Sequence, residues 1–460
     1  MKAEEAVMVH VVIIGAVAAG MSAASKLKRL DPSIFVTVFE QGEDVSYGAC
    51  GLPYFLSDII PDERLLIARK PEAFRAAGID LRLGHTVRFV DVSARCVTVR
   101  VNKTGQEFKQ DYDRLVIATG AQPIRLDVKR GDFANIHTLG SLQDGRVLKK
   151  ALSDEAVKTI AVVGGGYIGL EVIENLHKLK KEIILIERAD RVLTNFEPFI
   201  SKKLEEHLVE HGVTVKTGET VRAYTDQGGR GIVETDQSTY TVDLVVEAIG
   251  VRPATSFLDG TEITRLPNGA IVTDARMQTS IENVYAAGDC AAYVHAVTGK
   301  PGSYVPLGTH ANKAGRVIAE QIVGNDVTFA GVLGSGVLKV FDYEVARTGL
   351  GVEEAAAAGF SVETVSITAK DKAGYYPGAV EVEVAVIYDP LTCRLLGAQM
   401  IGQAGVAHRI NIMATAISAG YNATQFSGLD LAYAPPFSPV YDPLLVAVNQ
   451  IKCLEQEEKE

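Results

Sequence analysis

"TIAVVGGGYIGLEVIENLHKLKKEIILIER", residues Thr159–Arg188, decides the fold. It opens on an apolar, β-branched run of the kind that forms a buried parallel strand. Gly164, Gly166 and Gly169 follow in G-x-G-x-x-G register, and after a helical stretch a second strand closes on Glu187, 23 residues past Gly164. Strand, glycine turn, helix, strand and terminal acid form a dinucleotide-binding unit. The turn offers backbone N–H groups at a helix N-terminus to a pyrophosphate, and the acid takes ribose hydroxyls. An acid at that point favours the free 2′-hydroxyl of NADH over the 2′-phosphate of NADPH, with Arg188 beside it pulling the other way.

A looser copy precedes it. "VMVHVVIIG" reads as a strand, "GAVAAGMSAASKLKRLD" as a helix, and "IFVTVFE" as a strand ending in Glu40. Gly15 and Gly20 keep the register, and Val17 stands where the middle glycine belongs. "YDRLVIATGAQP" ends a return strand at Thr119-Gly120, "DLVVEAIGVRP" ends another at Gly250, and "IENVYAAGDCAAY" sets Gly288 and Asp289 after a third apolar strand. This order predicts a first nucleotide domain (1–120 and 249–328) interrupted by a second (121–248). From about Gly331 the composition shifts. "EVEVAVIYD" and "RLLGAQMIG" alternate like antiparallel strands and "GVAHRINIMATAISAG" repeats like a helix, so residues 329–460 form a third domain. The expected fold class is α/β: two Rossmann-like domains, the second inserted in the first, plus an α+β domain.

Bulk properties agree. A chain of 460 residues is too long for one core and points to about three domains. Its net charge of −11 argues against nucleic acid as a partner. The five cysteines are scattered and hold no C-x-x-C pair, which excludes a disulfide framework and fits a reducing, cytoplasmic setting. The apolar start "VMVHVVIIGAVAAGM" follows Glu4 and Glu5 and contains His10, unlike a signal peptide. No other window is apolar for long enough to span a membrane.

One cysteine stands out. "DVSYGACGLPYFLSD" places Cys50 between Gly48 and Gly51, and the residues after it bring no second thiol. The thiolate is the reactive form, and a helix N-terminus or electropositive surroundings would lower its pKa from about 8.5. A buried, inert thiol is the commoner fate of a free cysteine, and Cys290 reads that way. On the first helix Ser22, Lys26 and Arg29 are spaced i, i+4, i+7 and share a face.

Over essentially its whole length the chain resembles the two-dinucleotide flavoprotein disulfide reductases. "GAVAAG", "SYGACGLPY", "YYPG" and "AYAPPFSP" look like the single-cysteine branch, the coenzyme A-disulfide reductases and NADH-dependent persulfide or polysulfide reductases. The resemblance implies FAD at Gly15, Ala16, Ala18, Gly20, Glu40, Thr119, Gly120, Gly250, Gly288 and Asp289. It implies NADH, or NADPH, at Gly164, Gly166, Gly169 and Glu187, with Tyr167 as an aromatic gate over the flavin and Glu171 beside it. It implies a homodimer in which Tyr375 and Tyr433 reach the partner's reactive cysteine, and a coenzyme A ligand at Ser22, Lys26, Arg29, Ser46, Asn312 and Tyr441. Ser46 would share a face with Cys50 if that stretch is helical. No residue is assigned to a metal. Cys50 would then exchange with a sulfur brought by a small disulfide, persulfide or polysulfide.

Two departures bear on the choice of substrate. Ala49 stands where some disulfide-reducing members carry asparagine, and no rhodanese-like extension follows the third domain. Two alternatives compete. An NADH oxidase or peroxidase would need a histidine where the chain has Ala18, leaving no acid/base partner for peroxide. An electron carrier to a partner protein generally lacks the reactive cysteine.

Overall fold

The computed structural model describes residues 9–454, so Val7 and Met8 of the expected opening strand lie outside the described residues. His10–Ile14 occupies the centre of a five-stranded parallel sheet ordered Val284–Ala286, Arg114–Ile117, His10–Ile14, Phe35–Phe39, Ile79–Arg82. Val11, Val12 and Ile13 are fully buried, which is why this strand reads as a solid apolar run. The helix Ala18–Leu30 crosses the sheet and packs on Gly308–Ile322. A Cβ on Gly315 would stand 2.3 Å from the Ala19 carbonyl oxygen, so the two backbones nearly touch.

The inserted domain repeats the plan, with parallel strands ordered Ile136–His137, Leu244–Glu247, Thr159–Val163, Glu182–Ile186, Thr214–Lys216. The chain enters and leaves it through Ala121–Pro123 and Val251–Pro253, paired antiparallel. Two antiparallel additions had no counterpart in the sequence reading. One is the meander His85–Asp91, Cys96–Val101, Glu107–Asp111; the other is built around Val221–Gln227 and Arg230–Thr235. The third domain is a five-stranded antiparallel sheet in which Leu395–Gly402 is buried throughout, with the helix Val406–Ser418 against it. Among the described residues, no helix is long and apolar enough to cross a membrane.

One expectation is corrected. Cys393 and Cys453 form a disulfide across a separation of 60 residues, their Cα atoms 5.6 Å apart. No local spacing announces such a pair, because it arises only when the chain's end folds back against the turn after Tyr388, where the Leu454 N–H donates to the Pro390 carbonyl.

The glycines explain how each helix begins. Gly15 and Gly164 adopt φ of +103° and +109°, open to glycine at little cost. A Cβ on Gly20 would lie 1.9 Å from the Gly15 oxygen, and one on Gly169 would lie 2.0 Å from the Gly164 oxygen. Gly166 has extended backbone and nothing within 4 Å of its missing Cβ. We therefore predict that Gly169→Ala destabilises the protein by about 1–3 kcal/mol, the usual cost of forcing an atom into a packed contact. Gly166→Ala should be neutral or gain about 0.4–1 kcal/mol. Thermal and denaturant unfolding of both variants checks the contrast, and equal losses would refute it.

Candidate active site

Cys50 lies in the one-turn 3-10 helix Ala49–Gly51, which runs into the helix Leu52–Leu56. Leu52, Phe55 and Leu56 are buried in the inserted domain's apolar core with Leu142, Leu148 and Ile173, so that domain holds the thiol in place. Arg146 clamps the segment from both ends, pairing with Asp44 and with Glu63 at 2.7 Å each. The stretch before Cys50 is not helical. Ser46 has φ of +49°, an uncommon conformation for a side chain. It is held there because its N–H donates to the Ala16 carbonyl and its own carbonyl accepts from Ala68. Ser46 therefore shares no helical face with Cys50.

The electrostatics also differ from expectation. The Cys50 residue is exposed, yet crowding of its sulfur by protein atoms pushes the thiol's pKa up, and the carboxylates of Glu171 and Asp289 push it further. Electropositive surroundings are not what the chain supplies. Burial, then the charge of Glu174, raises Glu171 to about 7 against a hydrogen bond from Tyr54. Burial and Glu171 raise Tyr54 to about 12. Cys50, Tyr54 and Glu171 thus form one coupled cluster. Tyr54 was missed, although it lies four residues past Cys50.

Two loops are wired alike. Glu40 accepts hydrogen bonds from the Ala16 and Gly42 N–H groups at 2.8 Å each. Glu187 accepts from Gly165 at 2.6 Å and Ala189 at 2.7 Å. Each carboxylate keeps lone pairs for ribose hydroxyls. At the ends of two neighbouring strands of the first sheet, the Thr119 hydroxyl is buried without a partner and Asp289 is pushed up by burial alone. Buried polar groups are ordinarily paired, so both await a hydroxyl-bearing ligand. Gly120 and Gly288 have positive φ here, with Gly288 against Ala19, and Gly250, also at positive φ, follows the inserted domain's strand Leu244–Glu247. These residues fit a flavin dinucleotide. Tyr167 is half-buried, its ring 6.0 Å from Phe196 and its hydroxyl against Gly336 of the third domain.

Beside the first helix lies a cavity of 420 Å³, within the range of small-molecule sites. Ser22, Arg29, Ser46 and Asn312 line it, as does Ala18. The Ser22 hydroxyl donates to Asn312 Oδ1 at 2.7 Å. Lys26 is a correction. It does not line the cavity, because its ammonium pairs with Glu320 at 2.8 Å, and Ser25 takes its place. Arg69 and Arg316 were missed, although Arg316 follows Asn312 by one helical turn. With Arg29 they put three guanidinium groups and no acid around the cavity, a lining suited to phosphates. The lining continues to Gly48, two residues before Cys50. Tyr441 does not belong to it. Tyr375 and Tyr433 sit on the third domain with hydroxyls 3.4 Å apart, and with Phe437 and Tyr441 they are exposed.

The family described as pyridine nucleotide-disulphide oxidoreductase matches residues 9–315, and its dimerisation domain matches residues 336–443. A Pyrococcus furiosus protein named NAD(P)H sulfur oxidoreductase (CoA-dependent) is 39% identical over 444 residues, covering 96% of this chain and 99% of its own. A coenzyme A disulfide reductase of Staphylococcus haemolyticus is 30% identical, covering 94% of this chain and 96% of its own. The solved structure of an NAD-dependent persulfide reductase from A. fulgidus superposes with a TM-score of 0.91 at 36% identity, covering 96% of this chain and 82% of that one.

The carboxylate cluster yields a prediction. Glu171→Gln removes the stronger of the two charges acting on Cys50, so the thiol's apparent pKa should fall. Above about pH 7, where Glu171 is ionised, the variant should be alkylated faster at Cys50 than the parent. Well below that pH the two rates should converge. The pH profile of iodoacetamide modification measures this, and coincident profiles would show that Glu171 does not act on the thiol.

Proposed function

The chain belongs to the pyridine nucleotide-disulphide oxidoreductase family, and on that premise we propose that it is an FAD-dependent NAD(P)H oxidoreductase acting on coenzyme A disulfide or coenzyme A persulfide or polysulfide through Cys50 alone. The observation that carries this reading is the arginine-lined cavity whose wall ends two residues short of the only exposed free thiol among the described residues. The names of the relatives support the same substrate class.

Arg29, Arg69 and Arg316 hold the phosphates, and Ser22, Ser46 and Asn312 position the arm that leads to Cys50. The Cys50 thiolate attacks one sulfur of the S–S bond. A new S–S bond forms to Cys50, and the other sulfur leaves with the electron pair and takes a proton. FAD held by the first domain would supply the electron pair that NAD(P)H delivers; the S–S bond to Cys50 would break, returning the Cys50 thiol and releasing the sulfur joined to it as a second, protonated product. Gly164, Gly166 and Gly169 seat the nicotinamide dinucleotide, and Glu187 favours NADH by accepting from its ribose hydroxyls. A second copy of the chain covers the exposed aromatic cluster and brings Tyr375 and Tyr433 to the thiol, where a phenol protonates the departing sulfur.

Cys50→Ser should keep the yellow flavin and lose disulfide turnover by at least about 100-fold, as expected when a covalent step is removed. Near-parent turnover would remove the covalent step. Arg69→Ala with Arg316→Ala should raise the KM for coenzyme A disulfide at least about tenfold, since each charge-assisted contact contributes about 1.5–3 kcal/mol. The KM for a small uncharged disulfide should stay unchanged. Equal changes for both substrates would sink the coenzyme A assignment while leaving the thiol chemistry intact.

A further inference from the structure

Where the inserted domain meets the third domain, three metal-ligating side chains converge away from the cavity. His207 and His211 stand one turn apart at the end of the helix Pro198–Glu210. Asp342 lies in the tight turn between Gly336–Val340 and Tyr343–Gly349. One donor atom from each lies within 4.8 Å of the others. We propose that His207, His211 and Asp342 bind a divalent first-row transition metal ion, zinc foremost, that ties the second domain to the third.

Each ligand already has the outer partner that ligating groups need. His211 Nδ1 lies 2.9 Å from the His207 carbonyl oxygen. A carbonyl only accepts, so Nδ1 carries the hydrogen and Nε2 the lone pair. Asp342 Oδ2 accepts from Gln403 at 2.6 Å, which leaves Oδ1 free. His207 Nδ1 faces Glu210 at 3.4 Å, so the ring presents Nε2 toward Asp342. His207 is buried and its Nε2 lacks a hydrogen-bond partner, although Asp342 Oδ1 stands 2.5 Å away. A metal ion taking the place of a proton between this imidazole and this carboxylate would be held by both.

The rings are held in place as well. His211 stacks on Phe341 with centroids 4.0 Å apart, and His207 packs edge-on to His211 at 4.3 Å. Asp342 is 53% exposed, so an ion has a path in and water can complete the coordination. Two imidazoles with one carboxylate suit Zn²⁺, Co²⁺ or Ni²⁺. Mg²⁺ and Ca²⁺ prefer all-oxygen sites. Because the helix and the turn belong to different domains, the bound ion would brace the seam between them.

The test uses the flavin-loaded enzyme, stripped with a chelator, with Cys50 alkylated so that its thiol cannot bind metal. Zn²⁺ uptake is read by equilibrium dialysis, and Co²⁺ by its ligand-field absorption. One equivalent per chain is expected, with a higher midpoint of thermal unfolding when the ion is bound. Asp342→Asn and His211→Gln should each weaken uptake by about 10–100-fold. Both should retain the parent's flavin content and, without alkylation, its turnover. No stoichiometric uptake by the parent, or equal uptake by parent and both variants, would overturn the proposal and leave a His207–Asp342 ion pair.

Discussion

Two carbonyl oxygens, of Gly15 and Gly164, stand where a neighbouring glycine has room for a hydrogen and nothing more. That contact seats the first turn of each nucleotide-loop helix on its strand, and much of the site follows from it. With the helix Ala18–Leu30 fixed at its start, Ala19, Ala23 and Leu27 face the core while Ala18, Ser22, Ser25 and Arg29 face the cavity. The loop is fixed from its other side by Glu40, just as Glu187 fixes the second. Each carboxylate serves to hold its turn in shape.

The site is divided by charge. The cavity presents three arginines without an acid, whereas the thiol faces Glu171 and Asp289. In a chain of net charge −11, the guanidinium cluster is a local concentration that an anionic ligand alone would match. The carboxylates work against ionisation of Cys50, so the chain by itself keeps the thiol protonated. Glu171, raised to about 7, loses its charge within the neutral range, so the thiol's surroundings change where small shifts in pH occur. Tyr54 connects the two by donating to Glu171 from the helix that follows the thiol.

What could be read from the sequence was what is local. Both βαβ units, their closing acids and the unpaired Cys50 follow from periodicity and short spacing, and two of the third domain's five strands from their apolar, β-branched runs. What could not be read depends on chain brought from afar. Ser22 shares a helix face with both Ser25 and Lys26, and Glu320 on a distant helix decides which of them reaches the cavity. Arg69 and Arg316 become neighbours of Arg29 only in the fold. Of the thiol's acidic surroundings, Glu171 comes from the inserted domain and Asp289 from the resumed first domain, and the Cys393–Cys453 pair comes from the chain's end. Ser46's left-handed backbone is set by Ala16 and Ala68 rather than by its own propensity.

A single chain leaves an aromatic cluster of its third domain uncovered. Tyr375 and Phe437 are more than three-quarters exposed, and the hydroxyls of Tyr375 and Tyr433 find only one another. Covering an aromatic side chain of this size is worth about 1.5–3 kcal/mol. The cluster therefore supplies a driving force for association that a lone protomer cannot realise. On the proposed reading the same side chains that drive pairing also furnish the phenols beside the partner's thiol. Association and completion of the site are then one event, because burying the rings delivers the hydroxyls. A lone protomer would keep its first nucleotide loop, its cavity and Cys50, with water, Glu171 and the tightly held proton of Tyr54 in place of the partner's phenols.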